Sequence, residues 1–173
     1  MKVWVPFTNL NPATAYVVQG LPSYELVDVS GSDTAYVDFF QSRWDEGKDF
    51  ISMEHDIVPW PGAIDQIAQC KAPWCVFMYD PVEDAMSRPN LGLVKIGADL
   101  IKMIPDVWRV MGTAERGVPR RYGAIFGAMP CNRTWMYCDQ QLFFHAITRD
   151  IYPHQHFPPV VNVKPTNEIQ RSR

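Results

Sequence analysis

Apolar residues along this chain recur in short blocks, and the period of the blocks switches repeatedly between strand-like and helix-like spacing. Residues 2–7 (Lys2-Val3-Trp4-Val5-Pro6-Phe7) and residues 24–29 are rich in β-branched and aromatic side chains, which predicts two strands. Between them, Thr8-Asn9-Leu10-Asn11-Pro12 forms a polar loop, and residues 13–19 suit a short helix that stops at Gly20. Ser30-Gly31-Ser32-Asp33 supplies a turn and a helix cap. Residues 34–44 then place Tyr36, Val37, Phe40 and Trp44 at helical spacing, before Gly47.

The alternation continues. Residues 49–53 predict a strand, 63–70 a helix, 74–79 a strand, 91–96 a strand and 98–104 a helix. Residues 80–90 are polar and predict an exposed loop, while Gly, Arg and Pro crowd residues 112–130, the stretch best suited to motion. A helix is expected over 139–148, a last strand over 160–163, and a polar tail over 167–173. Strand and helix signals in alternation predict the α/β class, with a mainly parallel central sheet flanked by helices in one compact domain over residues 1–166.

Composition narrows this picture. The 173 residues suffice for one domain with a real core, and 47% apolar with 20% charged residues is the balance of a globular protein. A net charge of −3 gives no electrostatic basis for tight non-specific binding to a polyanion. A local basic stretch remains at Arg116, Arg120, Arg121 and Arg133. The amino terminus lacks the basic, apolar and small-residue sequence of a signal peptide, and charge interrupts every apolar run short of a membrane span. A cytoplasmic protein with no membrane partner is expected, its four cysteines as thiols. Cys70 and Cys75 have four residues between them and Cys131 and Cys138 have six, so neither pair has the tight C-x-x-C spacing of a zinc knuckle, and no zinc is expected.

The chemistry-bearing candidate is Glu54-His55-Asp56, which follows the apolar strand at 49–53. If the triplet is extended, Glu54 and Asp56 point to one side and His55 to the other. The carboxyl ends of strands are where open α/β sheets bind ligands. Two adjacent carboxylates favour a cation between them, and oxygen ligands suit Mn2+ or Mg2+ with substrate phosphates completing the shell. The same acids in a solvated turn would need no function.

The order of strand, strand, Asp-containing turn, helix and acid-x-acid strand end resembles that of GT-A glycosyltransferases. More narrowly, the run from Trp44-Asp45-Glu46-Gly47-Lys48-Asp49 into Glu54-His55-Asp56-Ile57 resembles small glycosyltransferase-like proteins of phages and actinobacteria, as do Cys70-Lys71-Ala72-Pro73-Trp74-Cys75 and Leu91-Gly92-Leu93-Val94-Lys95-Ile96. The resemblance spans nearly the whole chain. It implies an abbreviated GT-A-like (Rossmann-like) domain that moves a sugar from a nucleotide-sugar donor, a UDP-sugar above all, to a hydroxyl acceptor. The acceptor could be a protein, a glycan or a hydroxymethylated base in duplex DNA.

By the same resemblance, Thr8, Asn9, Asp28 and Asp33 would join Glu54 in holding the nucleotide-sugar. Asp139 would open a late helix and take or orient the acceptor proton, although a simple N-cap explains it too. Glu54 and Asp56 would hold the metal, with His154 or His156 of the H-x-H pair adding a further ligand. The resemblance leads one to expect a histidine near position 162, where this chain has Asn162. His145 belongs on an apolar helix face. Two rivals use the same residues: a metal-dependent hydrolase or nuclease, and a non-catalytic binding module.

Overall fold

In a computed structural model, the described residues are 1–31, 34–79, 91–107, 146 and 149–163. They form seven strands and four helices. In chain order these are β1 (Val3–Phe7), α1 (Pro12–Gln19), β2 (Tyr24–Asp28), α2 (Ala35–Asp45), β3 (Phe50–Met53), β4 (Ile57–Val58), α3 (Ala63–Gln69), β5 (Trp74–Tyr79), β6 (Leu93–Ile96), α4 (Ala98–Met103) and β7 (His154–Asn162).

The strands make one sheet in the order β2-β1-β3-β6-β5-β7-β4. Strand β1 pairs in parallel with β2 and β3, and β5 in parallel with β7. Strand β6 lies antiparallel to both β3 and β5, and β4 is antiparallel to β7. Five strands therefore point one way, with β6 reversed inside the sheet and β4 reversed at its edge. The expected α/β sheet is present, with a reversal that apolar patterning alone cannot encode.

Central strands β3 and β6 are buried at every position, as expected where helices cover both faces. Their alternating residues feed two cores. Phe50, Trp74, Val76, Val94 and Ile96 join Tyr36, Phe40 and Trp44 of α2 and Leu100 of α4. Ile51, Met53, Cys75, Phe77 and Leu93 join Val18 of α1 and Ile67 of α3. Trp44 also donates from Nε1 to the Ile104 carbonyl at 3.2 Å, tying α2 to the end of α4.

Three local details depart from the sequence reading. Thr34, rather than Asp33, precedes α2, and its hydroxyl bonds Asp38 at 2.9 Å instead of capping the backbone. Asp33 itself lies outside the described residues. The last strand begins at His154, well before position 160. Pro158 and Pro159 argue against a strand by their missing N–H groups, yet the β5–β7 register shifts between Phe77 and Tyr79 and accommodates them. The segments 80–90 and 112–130, the helix expected over 139–148 (apart from the buried, helical Ala146), Cys131, Cys138 and the tail lie outside the described residues.

Candidate functional site

The site is built where β1, β2 and β3 end. All three run parallel, so Phe7, Asp28 and Met53 finish at the same edge of the sheet. Thr8 and Asn9 follow β1 as exposed residues, and Asp28 closes β2, also exposed. The fold thus gathers Thr8, Asn9, Asp28 and the 54–56 triplet along one edge. Asp28 is already engaged locally. Its Oδ1 accepts from the Ser30 backbone N–H at 2.8 Å and from the Ser30 hydroxyl at 2.6 Å. These two bonds hold its carboxyl below the ordinary carboxylate range.

Glu54-His55-Asp56 is not extended. The Ile57 N–H donates to the Glu54 carbonyl at 3.2 Å, which closes a turn between β3 and β4. The alternation that would place both carboxylates on one side therefore does not apply. Instead, each residue of the turn is fixed by a different element. The Glu54 N–H donates to the Gly92 carbonyl at 2.8 Å, just ahead of β6, and the Glu54 carboxylate accepts from the Tyr36 hydroxyl of α2 at 3.3 Å. The His55 carbonyl accepts from the Asn11 N–H at 3.1 Å, and the Asp56 carbonyl from the Val163 N–H at 2.7 Å. All three residues of the turn are half-buried.

Asn11 organises this turn from the side. Its Oδ1 caps α1 by accepting from the Ala13 N–H at 2.9 Å, while its Nδ2 donates to the Val163 carbonyl at 3.2 Å. Thr14, fully buried, donates from Oγ1 to the Ile57 carbonyl at 3.1 Å and fixes α1 to β4. Asn162 pairs with Ile57 across the β4–β7 ladder. Its Oδ1 is buried and makes no hydrogen bond among the described residues.

His154 and His156, expected to complete a metal shell with Glu54 and Asp56, are placed by the strand register away from this turn. Lys95 pairs with both Ile51 and Cys75, and Cys75 with His154, so His154 stands level with the start of β3 and not with its end. Nine residues of β7 separate the two ends of that strand, roughly 26 Å at the usual rise per residue. Asp56 meets the far end, at Val163. The residue that β7 brings toward the triplet is Asn162.

The histidines instead lie beside two cysteines. His154 Nδ1 is 3.2 Å from Cys70 Sγ, and the His154 and His156 rings are 4.6 Å apart. Burial, with His154 nearby, pushes the His156 imidazole below the usual histidine range. Burial chiefly, then the neighbouring Cys70, raises the Cys75 thiol far above the usual thiol range. Asp139, proposed for the acceptor side, lies outside the described residues, as do Asp33, His145 and the Arg116–Arg133 cluster.

Asn11 and Tyr36 escaped the sequence reading as site residues. The Asn11-Pro12 pair does carry a signal, since Asn is a preferred cap and Pro a preferred first helical residue. Nothing in the spacing of Tyr36 distinguishes it from a core aromatic.

This architecture, a mainly parallel sheet with β6 reversed inside it and β4 reversed at its edge, is a glycosyltransferase-like α/β fold. A crystal structure of a glycosyltransferase involved in the glycosylation of the major capsid of PBCV-1 superimposes with a TM-score of 0.52 at 7% identity, over 98% of this chain and 96% of that one. The correspondence is one of fold. No family model and no curated protein matches the sequence. Among the described residues, no helix is long and apolar enough to cross a membrane.

Proposed function

We propose that this protein is a divalent-metal-dependent glycosyltransferase that moves a sugar from a nucleotide-sugar, a UDP-sugar by preference, to a hydroxyl acceptor. The observation that carries the reading is the end-to-end likeness to a glycosyltransferase fold, with an acidic turn at the strand ends. Thr8, Asn9, Asp28 and Asp33 are assigned to the nucleotide-sugar together with Glu54, and Asp139 to the acceptor hydroxyl.

The chemistry of the triplet suits Mn2+ or Mg2+, because Asp56 and Glu54 bring hard carboxylate oxygens. Asn162, whose buried amide oxygen makes no hydrogen bond among the described residues, pairs with Ile57, the residue after Asp56. We assign the metal to Asp56 and Glu54 with Asn162 in support, in place of His154 and His156. Such an ion, when bound, would polarise the diphosphate and stabilise the leaving nucleotide. The Tyr36 hydroxyl holds the Glu54 carboxylate in place from α2. Asn11 fixes the backbone of the turn, so its acids keep their spacing as substrate enters.

The test is a donor screen that follows nucleoside diphosphate release with and without Mn2+, with protein, glycan and hydroxymethylated duplex DNA as acceptors. Metal-stimulated release that Asp56→Ala abolishes is expected. Absence of nucleotide-sugar binding by calorimetry across the panel would refute the proposal. Release of nucleoside diphosphate only as acceptor-free hydrolysis, at an equal rate with every acceptor, would point to a hydrolase instead.

A further inference from the structure

At the opposite edge of the sheet from the acidic turn, the fold assembles a second constellation. Cys70 caps the end of α3, and Cys75 lies one residue into β5. His154 pairs with Cys75 and His156 with Phe77, so both imidazoles stand on the same face of β7 as the Cys75 side chain. The ligand atoms of Cys70, Cys75 and His156 all lie within 4.8 Å of one another. His154 Nδ1 approaches Cys70 Sγ to 3.2 Å.

We infer that Cys70, Cys75, His154 and His156 form a structural zinc site that ties the end of α3 to the starts of β5 and β7. Two thiolates and two imidazoles are a closed set for Zn2+, and thiolates exclude the hard ions suited to the acidic turn. Tetrahedral zinc with its usual bond lengths sets neighbouring donor atoms about 3.3–3.8 Å apart. Movement of about 1 Å brings the donor atoms of Cys70, Cys75 and His156 to that spacing, and His154, in contact with Cys70 Sγ, would turn from it to supply the fourth donor. Four residues between the cysteines fall within the two-to-four spacing of zinc-binding cysteine pairs. H-x-H serves as the second pair because β7 is extended, with its alternate residues on one face.

One further observation points to a ligand here. His156 is 6% exposed, and its buried Nε2 makes no hydrogen bond among the described residues, an arrangement that is costly unless something binds it. Lys95, 5% exposed and on the same face, donates from Nζ to the Cys70 carbonyl at 2.5 Å and lies 3.9 Å from Asp49. It fixes the backbone of one ligand, and its charge has a carboxylate of its own. Zn2+ with two thiolates is then electrically neutral, and binding releases the two thiol protons to solvent.

The experiment uses the full chain, purified metal-free under reducing conditions and titrated with Zn2+ and Co2+. About one ion per chain is expected, with the visible ligand-field bands of tetrahedral cobalt and a thiolate-to-cobalt charge-transfer band, and a chelator should lower the Tm. Removing even an outer partner of a metal site costs about 10–100-fold in affinity, so Cys70→Ser and His154→Ala should each weaken Co2+ binding by more than about a hundredfold. Both residues are half-buried or exposed, so these variants should fold, as circular dichroism would verify. Glu54→Ala should leave the cobalt spectrum unchanged, which separates this site from the one proposed for catalysis. No uptake by folded wild-type chain would overturn the inference, and so would a cobalt spectrum indifferent to both Cys70→Ser and His154→Ala.

Discussion

Replacing Asn11 by Ala removes two of the three interactions this residue makes around the turn, and the geometry permits each to be weighed. The cap on α1 is lost, for about 0.5–2 kcal/mol. The Nδ2 bond to the Val163 carbonyl is lost as well, at about 0.5–1.5 kcal/mol. The backbone bond from the Asn11 N–H to His55 survives the substitution. A combined loss of about 1–3.5 kcal/mol is expected, which corresponds to a Tm lower by about 2–14 °C at this chain length. Asn11→Ser sharpens the test, because its hydroxyl keeps an uncharged capping oxygen but is too short to replace the donor to Val163. Its loss should be smaller than that of Asn11→Ala. Urea denaturation followed by circular dichroism measures both. If Asn11→Ala stays within about 0.5 kcal/mol of wild type, a threshold below the smallest combined loss, Asn11 does not organise the turn. If the two variants lose equally, the cap contributes nothing.

Other substitutions probe separate joints of the fold. Gly97→Ala would put a methyl carbon 2.6 Å from the Pro73 carbonyl oxygen, a backbone atom that cannot rotate away, so a loss of about 1–3 kcal/mol is expected in chemical denaturation. Tyr36→Phe keeps the ring against Phe40 but removes the donor to Glu54, and should cost about 0.5–1.5 kcal/mol with an unchanged denaturant slope. Asp28 should titrate below the ordinary carboxylate range by NMR, and Ser30→Ala should return it toward that range. Because its folded value is the lower one, any stability it adds is present above the ordinary carboxylate range and fades as pH falls through the depressed value.

The sequence announced most elements of the fold because both sheet faces are covered and strands and helices differ in period. Strands β1, β2, β3 and β5 fall within a residue or two of where apolar blocks predict them. Strand order was not legible, since the reversal of β6 depends on which edges meet after collapse. The same limit governs the sites. Glu54 and Asp56 stood out as an acidic pair after a strand, but their turn depends on Gly92, Asn11 and Val163, which are distant in sequence. His154 and His156 read naturally as partners of those acids. Only the β5–β7 register, which pairs Cys75 with His154, reveals that they belong with Cys70 and Cys75 instead.

The reversal of β6 also decides where the chain enters and leaves the sheet. Strand β5 runs toward the acidic edge and β6 starts from it, so Tyr79 and Leu91, the described residues on either side of the 80–90 connection, both lie toward that edge, with Gly92 bonded to Glu54 itself. Rows such as Ile51-Lys95-Cys75-His154 cross the strands near the opposite margin and are untouched by the length of that connection. A change in the length of that connection would therefore act on the acidic margin while the rows across the opposite margin stayed in register.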